Sequence, residues 1–237
     1  MRRKVSLAAL VFFISLVTVQ NARAITLNEI DFFIGSGANQ AAFVLDWNDG
    51  RDSLIWGYQW DGVATADDMF HAIVAADPRL FAKVAQFDFG GTLFEFIVGI
   101  GYDRDDDGFA LSDGTFFTDG FFDGPPSDGA TATDLDDSYV EGFNTGFWAF
   151  YVADGNPYVG DTWDESQVGT NDTILVDGGF VGFRFAPGFV ATAPTQEPVA
   201  ATAPSPSQNG AVPEPASLLM LGMGALALVV RRRAVIE

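Results

Sequence analysis

The sequence predicts a mainly β domain, sandwich-like or α+β, with one or two short helices packed on a sheet. Three observations lead there. Strand-length apolar and aromatic runs recur along the middle of the chain, nine Asp-Gly pairs fall between or beside them, and one capped helical pattern interrupts them.

The first two runs, Ala42 to Trp47 and Ser53 to Trp60, are separated by Asn48-Asp49-Gly50, a turn signal that reads as a hairpin. The helix follows. Thr65 stands in the N-cap position, Asp68 in the capping-box position, and Pro78 lies just beyond an apolar-periodic stretch that ends at Ala76. First-turn acids at Asp67 and Asp68 complement the positive end of the helix dipole. A second, shorter helix is predicted over 78–85. Leu93 to Tyr102, Gly146 to Val152, Thr173 to Val176 and Phe180 to Phe185 read as further strands. In the Asp-Gly pairs Gly supplies positive φ and Asp caps the turn.

Composition narrows the chemistry. The 237 residues carry 12 basic and 32 acidic side chains, no Cys and one His, for a formal charge of −20. Without Cys there is no disulfide framework, zinc finger, iron–sulfur site or thiol nucleophile. Such an acidic surface repels phosphate, so no nucleic-acid partner is expected. With 48% hydrophobic residues and 23 Phe, the chain is too apolar for an acidic disordered protein.

The two ends carry targeting patterns. Arg2, Arg3 and Lys4 precede an apolar run from Val5 to Val19, and Ala22 and Ala24 form an A-x-A cleavage site before Ile25. Residues 1–24 therefore read as a secretory signal peptide, because the run falls short of the ~20 residues a membrane span needs. At the other end, Val212-Pro213-Glu214-Pro215 is followed by an apolar stretch from Ala216 to Val230 and by Arg231-Arg232-Arg233. As a helix that stretch spans about 22 Å, short of a hydrocarbon core of roughly 30 Å. Arginines retained on the cytoplasmic side orient it with the acidic domain outside.

The box, the short apolar helix and the arginine cluster together resemble a PEP-CTERM sorting signal over 212–237. The resemblance implies recognition of Pro213, Glu214 and Pro215 by an exosortase, a membrane protease-transpeptidase of Gram-negative bacteria. It also implies delivery by the export machinery, a temporary anchor in the inner membrane, release to the cell surface or outside, and exopolysaccharide as a candidate partner. Residues 191–211, rich in Ala, Pro, Thr and Ser with Glu197 as the lone charge, read as an extended linker of at most ~65 Å.

The acidic body is 25–190. It holds 29 acids against Arg51, Arg79, Lys83, Arg104 and Arg184, a formal charge of −24. It resembles an uncharacterised group of exported bacterial proteins carrying the same tail. The matching stretches include Asp46-Trp47-Asn48-Asp49-Gly50, Trp56-Gly57-Tyr58 through Trp60-Asp61-Gly62, and Ala75-Ala76-Asp77-Pro78-Arg79-Leu80. Gly101-Tyr102-Asp103 through Gly108-Phe109 and the late Trp163, Ser166, Gly169, Asp177-Gly178 pattern also match. The group has no assigned activity to carry over.

Asp103-Arg104-Asp105-Asp106-Asp107-Gly108-Phe109 is the leading metal candidate. Asp103, Asp105 and Asp107 occupy positions 1, 3 and 5 of an EF-hand-like calcium loop, with Gly108 at 6 and the Phe109 carbonyl at 7. Position 12 is Gly114 rather than Glu, and Asp113 stands one residue early as a substitute. Eleven aspartates lie between Asp103 and Asp137. The same residues also read as a solvated acidic loop whose Asp-Gly pairs only make turns.

Trp56, Tyr58 and Trp60 alternate along one strand face, as a ligand-stacking platform or as a sheet core. His71 reads as a partly exposed helix histidine. The chain lacks G-x-S-x-G, H-E-x-x-H and a phosphate-cradling glycine loop, so no enzyme is expected. The leading expectation is a non-catalytic surface or extracellular-matrix protein with a calcium-rigidified loop. A polysaccharide- or small-ligand-binding module is the alternative, and a secreted hydrolase is third.

Overall fold

A computed structural model describes residues 25–204 apart from Phe89 and Thr92. The residues expected to form the signal peptide and the sorting signal, including Ala22, Ala24, Pro213 to Pro215 and Arg231 to Arg233, lie outside the described residues. Among the described residues no helix is long and apolar enough to cross a membrane.

Among the described residues the fold is two sheets and one α-helix, with two short 3-10 turns. The larger sheet begins with β1 (Phe33–Gly35), β2 (Asn39–Asp46) and β3 (Leu54–Trp60). As the Asn-Asp-Gly turn predicts, β2 and β3 pair antiparallel. The turn needs left-handed backbone at Asn48 (φ 55°) and Gly50 (φ 87°), which Asn tolerates and Gly adopts freely. Helix α1 (Ala66–Ala76) follows with its capping box formed, Thr65 accepting from the Asp68 N–H and Asp68 accepting from the Thr65 N–H. It buries Met69, Phe70, Ile73 and Val74 at helical spacing.

The predicted helix over 78–85 is instead a strand. β4 (Leu80–Asp88) pairs antiparallel with β5 (Leu93–Tyr102). A short apolar run is compatible with either state, and here the long partner strand decides. β4 carries a bulge between Lys83 and Val84. β6 (Phe121–Asp123) joins β4 in parallel, and β7 (Ser138–Glu141) joins β5 antiparallel, completing a four-stranded sheet.

β8 (Gly146–Ala153), β9 (Asp164–Glu165) and β10 (Phe180–Pro187) return to the larger sheet, where β10 lies parallel to β2 and antiparallel to β8. The expected strand at Thr173 to Val176 is reduced to an isolated bridge between Ile174 and Thr65.

The body does not stop at residue 190. Residues expected as a free linker lie along the domain, and β11 (Val199–Ala200) pairs parallel with the N-terminal half of β3. β1 covers the C-terminal half of that same strand edge. Ala201 is buried, the Arg79 guanidinium donates to the Thr202 carbonyl, and Trp163 and Tyr158 both donate to the Pro194 carbonyl. A Pro-rich segment has few N–H groups, yet its carbonyls still satisfy buried donors.

One core joins the two sheets. Phe43, Trp56 and Phe183 from the larger sheet meet Leu80, Ala82, Ile100 and Tyr102 from the smaller, with α1 closing one side. The Trp47 indole donates to the Ile100 carbonyl at 3.0 Å and so ties the sheets together.

Candidate metal centre

The acidic loop leaves β5 at Tyr102 and returns in β7 at Ser138, and these two residues are register partners. Their neighbours Asp103 and Asp137 are therefore brought side by side although 34 positions separate them in sequence. Both are almost fully buried, at 4% exposure each.

Asp103 organises the start of the loop. Its Oδ1 accepts the Asp106 N–H at 2.8 Å and its Oδ2 the Gly108 N–H at 2.9 Å. That tight turn requires positive φ at Asp106 (62°) and Gly108 (123°). Asp103 is held in turn by the backbone, its N–H donating to the Arg79 carbonyl.

Asp137 is satisfied on one side only. Its Oδ1 accepts the Arg104 N–H at 3.1 Å, while Oδ2 is buried with no hydrogen-bond partner. Desolvation raises its carboxyl to about 6, with the Asp103 charge adding to the shift and the Arg104 N–H opposing it. The nearby cations point elsewhere. Arg104 donates to Ser138 Oγ and the Asp52 carbonyl, and Arg51 donates to the carbonyls of Leu135, Asp136 and Asp137.

Asp105 completes the group: Asp103, Asp105 and Asp137 each place a carboxylate oxygen within 4.8 Å of the others. Calcium holds oxygens at 2.3–2.6 Å, so two oxygens on one ion lie no more than about 5 Å apart. The donor set is hard, anionic and partly pre-oriented, which fits that ion.

The remaining predicted ligands are placed differently. Asp107 projects into solvent, and the Asp105 charge raises its carboxyl. Phe109 is anchored by its ring, stacked on Phe81 at 4.4 Å and lying where a Gly101 side chain would stand. Asp113 is taken by Lys83 at 2.9 Å and by the Thr115 N–H. Despite desolvation, those contacts hold its carboxyl down at about 2. Sequence spacing could not find Asp137, because its proximity comes from strand register.

The aromatic platform is core. Trp56 is fully buried and its indole donates to Asp77 Oδ2 at 3.1 Å, Trp60 is 6% exposed, and only Tyr58 is half-buried. Alternation does put the three on one face, and that face packs inward.

His71 is half-buried, donates to Glu95 Oε1 at 2.9 Å, and stacks on Phe121 at 4.6 Å. Nearby, β5, β8 and the 165–170 segment line an open pocket of about 190 Å³. Phe96, Phe147, Trp148, Phe150 and Phe183 wall it, with Glu95 and Glu165 also lining it.

Residues 211–233 match the PEP-CTERM protein-sorting motif. The chain carries a PEP-CTERM sorting signal. That signal marks an exported protein targeted to an exosortase and processed at the membrane. No curated protein and no solved structure matches the chain.

Proposed function

We propose that this PEP-CTERM protein is a non-catalytic surface or extracellular-matrix protein of a Gram-negative bacterium, stabilised by calcium at Asp103, Asp105 and Asp137. The observation that carries the calcium reading is Asp137 Oδ2, a buried carboxylate oxygen without a donor. An unpaired buried acceptor costs about 1–3 kcal/mol, and more when the group is charged. A divalent ion removes that cost and the mutual repulsion of three carboxylates in one step. Water and backbone carbonyls complete its shell of 6–8 oxygens.

Calcium is scarce in the cytosol and abundant outside, so the loop would set after export. It would tie β5, β7 and the β2–β3 turn, because Arg104 and Arg51 link those elements around Asp137. Sequence supports the non-catalytic reading through the missing nucleophile and metalloprotease motifs. After release from the inner membrane the acidic domain would be displayed or shed, with exopolysaccharide as its setting.

Thermal unfolding with calcium and with EDTA tests the ion. At 100-fold excess over Kd, calcium adds about 2.7 kcal/mol of stability. Asp137→Asn is expected to abolish that response while raising the stability of the ion-free protein. A wild-type melting curve that calcium leaves unmoved defeats the reading. Mass spectrometry of the exported form tests processing, and an intact Arg231-Arg232-Arg233 terminus on it defeats that part.

A further inference from the structure

We infer that the cavity between β5 and β8 is a binding site for a small organic cation, a molecule bearing an ammonium or quaternary ammonium group. This site stands apart from the calcium loop and uses none of its residues.

Its shape comes first. At about 190 Å³ the cavity lies below the ~300–1,000 Å³ of sites for drug-sized ligands, so it takes one compact group. Five aromatic side chains line it, with the Phe150 and Phe183 rings stacked at 5.0 Å and Phe96 entering from the other sheet. Aromatic faces carry negative quadrupole charge and attract cations that have shed part of their water.

The polar side chains specify the charge. Glu95 and Glu165 line the cavity and no Lys, Arg or His does. The two hydroxyls have committed their protons, Ser166 Oγ to the Val168 carbonyl and Thr170 Oγ1 to Asp67 Oδ1, each at 2.9 Å. They therefore present lone pairs. Trp148 contributes wall, and its buried indole N–H has no acceptor. The side chains thus offer mainly acceptors. An anion would meet the Glu165 carboxylate and a Glu95 carboxylate already paired with His71. An ammonium group has only donors, and a quaternary one needs only charge and aromatic faces.

Glu95 is also held in place, accepting from His71 at Oε1 and from Gln86 at Oε2. The domain's formal charge of −24 concentrates cations around the mouth of the site.

The test is isothermal titration of the exported protein with choline chloride and tetramethylammonium chloride at constant ionic strength. EDTA is present throughout, so the calcium loop takes no part. The expected result is saturable binding in which the two cations compete. Glu165→Gln, an exposed substitution, should weaken it about threefold to tenfold. Phe150→Leu keeps apolar bulk but removes a ring face, and should weaken it about tenfold. Retained choline binding in Asp137→Asn would separate this site from the calcium reading. Heats no different from sodium chloride overturn the inference. So does saturable binding of cellobiose with none of choline, or an affinity that neither substitution alters.

Discussion

Lys83 Nζ lies 2.9 Å from Asp113 Oδ2 and thereby ties the acidic loop to the second sheet. The same ammonium reaches Glu141 Oε2 at 3.0 Å, and that carboxylate is 1% exposed. Lys83 itself is buried at the β4 bulge, and its pairing with the two acids outweighs desolvation and raises its pKa. Lys83→Met is therefore expected to destabilise the domain by about 3 kcal/mol, because Glu141 is left charged and buried. Asp113→Asn, at a side chain 37% exposed, should cost under ~1 kcal/mol. Urea unfolding of the two variants checks the contrast, and equal losses would contradict it.

Asp128 clamps a second loop. Its carboxylate accepts from the N–H groups of Phe143, Asn144 and Thr145 and from the Thr145 hydroxyl. The Phe143 N–H above all holds its pKa well below the usual carboxylate range. A depressed folded pKa stabilises above the unfolded value of about 3.9, and the gain is lost as pH falls through the folded value. Asp128→Ala should cost about 1–2 kcal/mol at pH 7. Denaturant melts should show that gap unchanged at pH 5 and closing below about pH 4.

His71 titrates in the opposite sense. Its hydrogen bond to Glu95 raises the pKa, opposed by burial and helped by the charges of Glu95, Asp67 and Asp68. The protonated pair contributes fully below the unfolded value of about 6.5 and is lost as pH rises through the folded one. NMR titration should place the imidazole above 6.5, and Glu95→Gln should lower it. An unmoved pKa in that variant would show that Glu95 is not the cause.

The docked segment after residue 190 gives a truncation test. A chain ending at Val190 removes the acceptors used by Trp163, Tyr158 and Arg79, together with β11. It should be less stable than one ending at Pro204 by at least ~2 kcal/mol, since three part-buried hydrogen bonds of about 0.5–1.5 kcal/mol each are lost with the β11 pairing. Amide exchange at Ile55, which faces β11, should quicken as well.

Helix α1 was legible because its signals are local. Thr65, Asp68 and the Met69, Phe70, Ile73, Val74 stripe lie within ten residues and need no partner to be read. The β2–β3 hairpin was legible for the same reason, through Asn48-Asp49-Gly50. β4 was misread because Leu80 to Ala85 is compatible with helix until β5 pairs with it. Composition suggested a linker after residue 190, but the open edge of β3 and the unsatisfied donors at Arg79 and Trp163 draw that chain onto the domain.

The candidate site divides the same way. By itself the sequence determined the PEP-CTERM tail, the acidic character and the concentration of aspartates after β5, all properties of contiguous residues. Tertiary structure decided which carboxylates meet. The pairing of Tyr102 with Ser138 sets Asp103 beside Asp137, while Lys83 at the β4 bulge draws Asp113 away. It also decided that Trp56 and Trp60 face α1 and the second sheet rather than solvent. Strand alternation assigns residues to a common face, but only packing against another layer determines whether that face is core or surface.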